Sequence, residues 1–322
     1  MPTKNKTNWG AVQRESANAA HRREIDALTQ QLTQTQASLE RTIEARRVKF
    51  TASPRPKGRQ TGDVVRVSIH DTHGMHADPK AISALIADLK VIDPDEIILL
   101  GDIVDCGGFL AQHHVMGYVA ETAYSYEQDI EAANGLLDAI QQAAPRAKIE
   151  YVEGNHEKRV ETWAVTMTLR HSRDSEALRR LYAPEFRLNL KSRGISYYKM
   201  SECYDGLTVP GFIKRGKIFY THASFLTSKH ATAAIHAKVA GNVRFANTHR
   251  AQAETVQRVG VGFIGAYNAG CLCIKGPLWR NTDPTEWSDG YGLDFIAPSQ
   301  SFLALNVPIL DGVSHFSSLF KL

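Results

Sequence analysis

A chain of 322 residues exceeds an ordinary single domain, so one large body with an appendage is expected. Its 43% hydrophobic and 22% charged residues exclude a disordered or fibrous protein, and four scattered cysteines, Cys106, Cys203, Cys271 and Cys273, exclude a disulfide framework. The formal net charge of +4 is uneven: residues 1–62 carry 12 Lys and Arg against 5 Asp and Glu, which leaves 26 against 29 for the rest.

That basic excess suits an arm drawn to a polyanion, nucleic acid above all, and equally a solvated helix with a basic linker. The opening stretch lacks the apolar core of a signal peptide, and no later segment has 18 consecutive apolar residues. A cytoplasmic protein with reduced thiols and no membrane span is expected. From Ala11 to Val48 there is no Gly or Pro, and Ile25, Leu28, Leu32 and Leu39 follow a 3-4 spacing with Thr35 and Thr42 in the remaining seam positions. This predicts a long helix whose seam is too polar for a strong autonomous coiled coil, so it must pack on the body or on a second copy in a homo-oligomer. Thr51 to Gly62, with two prolines, two glycines and three basic residues, has the chemistry of a linker. The expected division is an arm over 1–62 and a body over 63–322.

Within the body, Val64 to Ile69 reads as a strand and Pro79 to Lys90, with Ile82, Leu85, Ile86 and Leu89 at helical spacing, as a helix. Glu96 to Leu100 and Lys148 to Val152 repeat the strand pattern around a helix from Ser125 to Ala143. Alternating strands and helices imply an α/β fold with a mainly parallel central sheet, whose strand carboxyl ends gather along one edge and form the crevice.

Every polar motif falls at such a strand end. The first strand runs into His70-Asp71-Thr72-His73-Gly74, the second into Gly101-Asp102-Ile103-Val104-Asp105 and the third into Gly154-Asn155-His156-Glu157. Tyr220-Thr221-His222 and Asn247-Thr248-His249 follow later apolar runs. Singly, each is common as turn chemistry. Their joint order is not.

Together these blocks resemble the signature of the calcineurin-like metallophosphoesterases: D-x-H, G-D-x-x-D, G-N-H-[DE], a later His, and G-H-x-H. The resemblance covers about residues 64–270 and includes Asn268-Ala269-Gly270 near its end. It implies an α/β metallophosphoesterase-type β-sandwich flanked by helices. It also implies two divalent ions, Mn²⁺, Zn²⁺ or Fe²⁺, which carboxylate oxygens and imidazole nitrogens suit. By resemblance, Asp71, His73, Asp102 and His249 hold the first ion, Asp102, Asn155 and His222 the second, and Asp102 bridges them. A pair of ions about 3.5–4 Å apart clamps phosphoryl oxygens and activates water, so no protein nucleophile is needed. His156 is expected to protonate the leaving oxygen rather than bind metal, with Asp105 orienting its ring.

One block departs from the pattern. Where it has Gly-His-x-His, this chain reads Ala246-Asn247-Thr248-His249. Either Asn247 ligates weakly through its amide oxygen, or His230 or His236 substitutes, or the second site is vacated. Cys106 stands where the related protein phosphatases have a phosphate-binding Arg, which argues against a phosphoprotein phosphatase, although Arg159 could compensate. Glu157, Lys158 and Arg159 open a helix at the crevice or a solvated helix start. His113 and His114 suit a substrate loop or an ordinary surface pair, and Trp163, Met167 and Leu169 are expected in the core. The leading expectation is hydrolysis of a phosphomonoester or phosphodiester, with a nucleic acid or nucleotide favoured by the basic arm. The competing one is a nucleic-acid-associated or assembly protein that keeps a degraded metal site.

Overall fold

The computed structural model describes residues 62–107, 125–168, 175–226, 229–275 and 286–316, with scattered helical positions between 27 and 38. The chain divides into two units, Met1–Gly58 and Arg59–Leu322. In the first unit, described positions such as Gln31 and Thr35 are helical, and the Thr35 hydroxyl donates to the Gln31 carbonyl at 2.8 Å. The other seam positions of the expected arm helix, the basic linker up to Thr61, and His113, His114 and Leu169 lie outside the described residues.

In the second unit, β1 (Val64–Ile69), β2 (Glu96–Leu99), β3 (Lys148–Val152) and β4 (Ser196–Tyr198) pair in parallel, with Val67 opposite Ile97 and Ile97 opposite Ile149. Side chains along a strand point alternately to opposite faces. Accordingly Ile97 and Leu99 face a core shared with α1 (Pro79–Ile92) and α2 (Tyr126–Ala143). Ile98 and Leu100 face a second core containing Ile213, Ile218 and Tyr220. Strands covered on both faces read as continuous apolar runs.

The helices have local causes as well. Asp78 caps α1 by accepting Lys80 N–H at 2.8 Å, and Pro79 occupies the first helical position. Ala81, Leu85 and Leu89 lie on its buried face. Each buried Leu contributes about 1.5–3 kcal/mol, and Leu89→Ala would cost about 2–5 kcal/mol. Beyond β3 come α3 (Asn155–Thr168) and the short α4 (Ser175–Tyr182) and α5 (Pro184–Arg187).

The second sheet supplies the facing layer. It contains β5 (Phe212–Arg215), β6 (Ile218–Thr221), β7 (Asn242–Phe245), β8 (Ala251–Arg258) and β9 (Gly262–Ala269), in the order β5-β6-β7-β9-β8. The helix α6 (Ala231–Lys238) packs Ile235 with Val243 and Phe245 on the outer face of this sheet. The first sheet is completed antiparallel by β10 (Asp289–Ile296) against β1 and β11 (Phe302–Ile309) against β10. This is an α/β sandwich of two sheets flanked by helices, the expected architecture. Between the sheets, fully buried Arg244 pairs with Asp294, while Tyr220 Oη donates to Asp294 Oδ2 at 2.8 Å and accepts from Arg66 at 2.8 Å. Among the described residues no helix is long and apolar enough to cross a membrane.

Candidate metal centre

The carboxyl ends of β1, β2, β3, β6 and β7 meet at one edge of the sandwich, and the motif residues follow each of them. The loops after β1 and β2 are laced together: Asp71 N–H donates to Gly101 O at 3.1 Å, His73 N–H to Asp102 O at 2.9 Å and Gly74 N–H to Ile103 O at 2.8 Å. Asp71, His73, Asp102, Asn247 and His249 all have positive φ, between 51° and 71°. A left-handed non-glycine residue costs on the order of 1–3 kcal/mol, and such strain gathers where a side chain must be aimed.

Two buried carboxylates from neighbouring helices hold the loop after β2. Glu157, in the first turn of α3, accepts the backbone N–H groups of Asp102 at 3.0 Å, Ile103 at 2.8 Å, Val104 at 3.2 Å and Gly154 at 3.0 Å, and the Tyr151 hydroxyl at 2.5 Å. Asp129, on α2, accepts from Cys106 N at 2.8 Å, Asp105 N at 3.3 Å and Met75 N at 3.2 Å. The approach of β3 to this loop leaves no room for a side chain at Gly154, where a Cβ would stand 2.2 Å from Asp102 Oδ1.

The donor atoms converge in two groups that share Asp102. Ligand atoms of Asp71, His73 and Asp102 lie within 4.8 Å of one another, His73 Nε2 is 3.2 Å from His249 Nε2, and His249 Nε2 is 3.3 Å from Asp71 Oδ1. On the other side, His222 Nε2 lies 3.1 Å from Asp102 Oδ2 and 2.9 Å from Asn155 Oδ1. His222 Nδ1–H donates to Leu100 O at 2.6 Å, which turns its Nε2 inward. Asp105 Oδ1 sits 3.1 Å from both His73 Nδ1 and His156 Nδ1, and His156 Nδ1–H also donates to Asp105 O at 2.7 Å.

The electrostatics of this pocket couple its carboxylates to its imidazoles. Burial pushes the Asp102 carboxyl up, but the His156 and His222 imidazoles outweigh it and hold it far below the usual range. Burial likewise opposes, and His249 overcomes, the ionisation of Asp71, while His156 and His73 do the same for Asp105. Burial would lower His222, yet the Asp102 carboxylate raises it to about 10, and Asp71 raises His249 against burial. His73 falls to about 4 through burial and the neighbouring His156, so it is a neutral nitrogen donor at neutral pH. Three carboxylates and the imidazoles of His73, His222 and His249, gathered in one buried cluster, fit divalent ions in chemistry and in spacing. Two ligand nitrogens 3.2 Å apart also match bonds of about 2.0–2.1 Å to one ion.

The structure thus gathers Asp71, His73, Asp102, Asp105, Asn155, His156, His222 and His249 at one edge. Asn247 lies there too: its backbone N–H donates to Asp71 Oδ2 at 3.0 Å, and its side-chain Nδ2–H is tied to Leu226 O at 2.8 Å. Neither histidine proposed to replace it joins the cluster, since His236 faces Glu254 O and His230 is exposed at the start of α6. Arg159 lies against His156, 2.7 Å from each ring nitrogen, and donates to Asp105 O at 3.0 Å.

Other expectations need correction. Glu157 is not part of a solvated helix start, for it is 1% exposed and spent on backbone amides. Met167 is 62% exposed rather than in the core, because it lies on the outer face of α3, and Trp163 is half-buried against Tyr182. Sequence reasoning missed Asp129 and Trp287, whose ring meets His249 edge-on at 4.2 Å. A signal existed for Asp129, a carboxylate in the apolar stripe of Ile130, Ala133 and Leu137.

A family model described as calcineurin-like phosphoesterase matches residues 69–258, more than half of the chain, and the chain belongs to that family, which normally binds divalent metals. Among solved structures it is similar to a Vps29 single mutant from Entamoeba histolytica, with 12% identity, 78% of this chain and 95% of that chain covered, and a TM-score of 0.38. It is also similar to Vps29 from Chaetomium thermophilum (12% identity, 78% and 93% covered, TM-score 0.33). A third likeness is to Vacuolar Protein Sorting 29 from Cryptosporidium parvum (10% identity, 78% and 94% covered, TM-score 0.36). No curated protein matches the chain.

Proposed function

We propose that the protein hydrolyses a phosphate ester at a centre of two divalent ions, the first held by Asp71, His73, Asp102 and His249 and the second by Asp102, Asn155 and His222. The observation that carries this reading is the position of Asp102, whose carboxylate belongs to the Asp71–His73 group and also lies 3.1 Å from His222 Nε2. When bound, such ions polarise the phosphoryl group and lower the pKa of a water nucleophile.

The chain's own residues supply the remaining steps. His156 donates its Nδ1–H to Asp105 O while its Nε2 accepts from Arg159 Nη2 at 2.7 Å, so Nε2 becomes the nitrogen that hands a proton to the leaving oxygen once Arg159 turns to the phosphoryl group. Arg159, packed against that ring, adds a positive charge where an anionic phosphoryl group would lie. The basic arm supports a nucleic acid or nucleotide as the ester.

A second reading has one specific support, the amide at Asn247 in place of an imidazole, with its Nδ2–H committed to Leu226 O. A centre short of one ligand suits a nucleic-acid-associated or assembly protein with a degraded site, the arm serving for docking or homo-oligomerisation. The discriminating experiment is a Mn²⁺-supplemented panel of an aryl phosphate, an aryl phosphodiester, single-stranded DNA and a phosphopeptide. The proposal expects metal-dependent turnover of at least one ester, with DNA or the diester preferred over the phosphopeptide. No turnover of any of them, together with at most one bound ion, would favour the second reading.

A further inference from the structure

Just past β9, a C-x-C segment is stitched to the loop that carries Asp71 and His73. Leu272 N–H donates to Asp71 O at 3.2 Å, Asp78 N–H to Leu272 O at 2.9 Å and Ile274 N–H to His76 O at 2.9 Å, while Cys273 bridges antiparallel to Ala77. Cys271 N–H is anchored on Ser288 O at 2.8 Å. The segment therefore has a fixed register against the metal centre.

That register buries both thiols completely. Cys273 Sγ and one nitrogen from each of His73 and His249 lie within 4.8 Å of one another. Buried cysteine is often mere packing. Here, however, the sulfur shares its surroundings with two imidazoles already turned toward a common point, their Nε2 atoms 3.2 Å apart.

We propose that Cys273 is a thiolate ligand of the ion held by Asp71, His73, Asp102 and His249, and that it biases this position toward Zn²⁺ or Fe²⁺ over Mn²⁺. The proposal rests on the metal-centre reading above and adds a ligand to it. Binding forms one metal–sulfur bond and releases the Cys273 proton to solvent, with no change of oxidation state. A cation deprotonates a coordinating thiol outright. Thiolate donors favour zinc and iron, whereas an all-oxygen and imidazole set accepts manganese readily. The chain thus lacks an imidazole at Asn247 and gains a sulfur at the neighbouring position.

The test uses the full chain stripped of metal and titrated with Co²⁺, then with Zn²⁺ in competition with Mn²⁺. Wild type, Cys271→Ser and Cys203→Ser are expected to develop sulfur-to-cobalt charge-transfer absorption in the near ultraviolet. Cys273→Ser is expected to lose it while keeping the visible ligand-field bands, and to need more Zn²⁺ to displace Mn²⁺. Ligand-field bands without charge transfer in wild type would overturn the thiolate and leave the metal centre standing, as would a band that persists in Cys273→Ser. Absence of any cobalt absorption would overturn both. Should Cys273→Ser fail to fold, zinc X-ray absorption of wild type decides: a sulfur neighbour at about 2.3 Å is expected, and a shell of nitrogen and oxygen alone would overturn the proposal.

Discussion

Glu157 Oε1 accepts the backbone N–H of Ile103 at 2.8 Å, so the first turn of α3 holds the loop that aims Asp102. Glu157→Gln replaces one accepting oxygen with a donor facing backbone N–H groups. Each buried donor left without a partner costs about 1–3 kcal/mol. Urea unfolding is expected to show a loss of at least that size, and metal titration a weaker affinity. Unchanged values for both would mean that the loop keeps its shape without the clamp.

The strand-end motifs were legible because each sits within a few residues of a local apolar run. Val64–Ile69 and Lys148–Val152 fall where alternation and β-branching place them, and α2 runs to Ala143 as expected, with Ser125 as its cap rather than its first helical residue. The clamps formed by Glu157 and Asp129 were not legible, since each joins a helix to backbone amides of a separate loop, and backbone partners leave no mark on composition. The approach of Cys273 to His73 was equally hidden. It depends on the pairing of the Cys271–Ile274 segment with the loop after β1, a contact between parts of the chain about 200 residues apart.

Glu153 makes stability depend on pH. Its carboxyl, 5% exposed, accepts from Met200 N at 2.8 Å and Tyr197 Oη at 2.9 Å, yet burial pushes it up to about 7 from 4.5. A folded-state value above the unfolded one means that the folded state binds the proton more tightly. The stability it contributes is therefore fully present below about 4.5 and lost as pH rises through about 7. Denaturant unfolding is expected to show stability falling between about pH 5 and about pH 8, with a smaller fall in Glu153→Gln. Equal slopes would assign the effect elsewhere.

Asn247→His should strengthen the second metal position. Histidine tolerates the left-handed backbone found there, with φ of 71°. The hydrogen bond to Leu226 O would be lost at about 1 kcal/mol, while imidazole is the better donor to Mn²⁺, Zn²⁺ or Fe²⁺ than an amide oxygen. Calorimetric titration of wild type and variant is expected to show a tighter second binding event. An unchanged or weaker one would remove Asn247 from a ligand position.

His156 is held by Asp105 and Arg159 and is not a ligand in the proposed assignment, so His156→Ala should keep its metal. The rate on an ester with a poor leaving group should fall by about 10²–10⁴-fold, the usual range for a general acid, and less on an aryl phosphate. Metal loss, or equal losses on both substrates, would contradict its role.

Asp102, 1% exposed, is the carboxylate shared by both donor groups, with Oδ1 accepting His156 N–H at 2.9 Å and Oδ2 3.1 Å from His222 Nε2. The most direct measurement is bound metal per chain and phosphate-ester hydrolysis on the same samples of wild type and Asp102→Asn, a change that keeps the shape and removes the charge. Wild type should bind two ions and hydrolyse ester, and the variant should lose both metal and rate. A variant with wild-type metal content and rate would show that Asp102 does not anchor the centre, and the assignment of this site would fall.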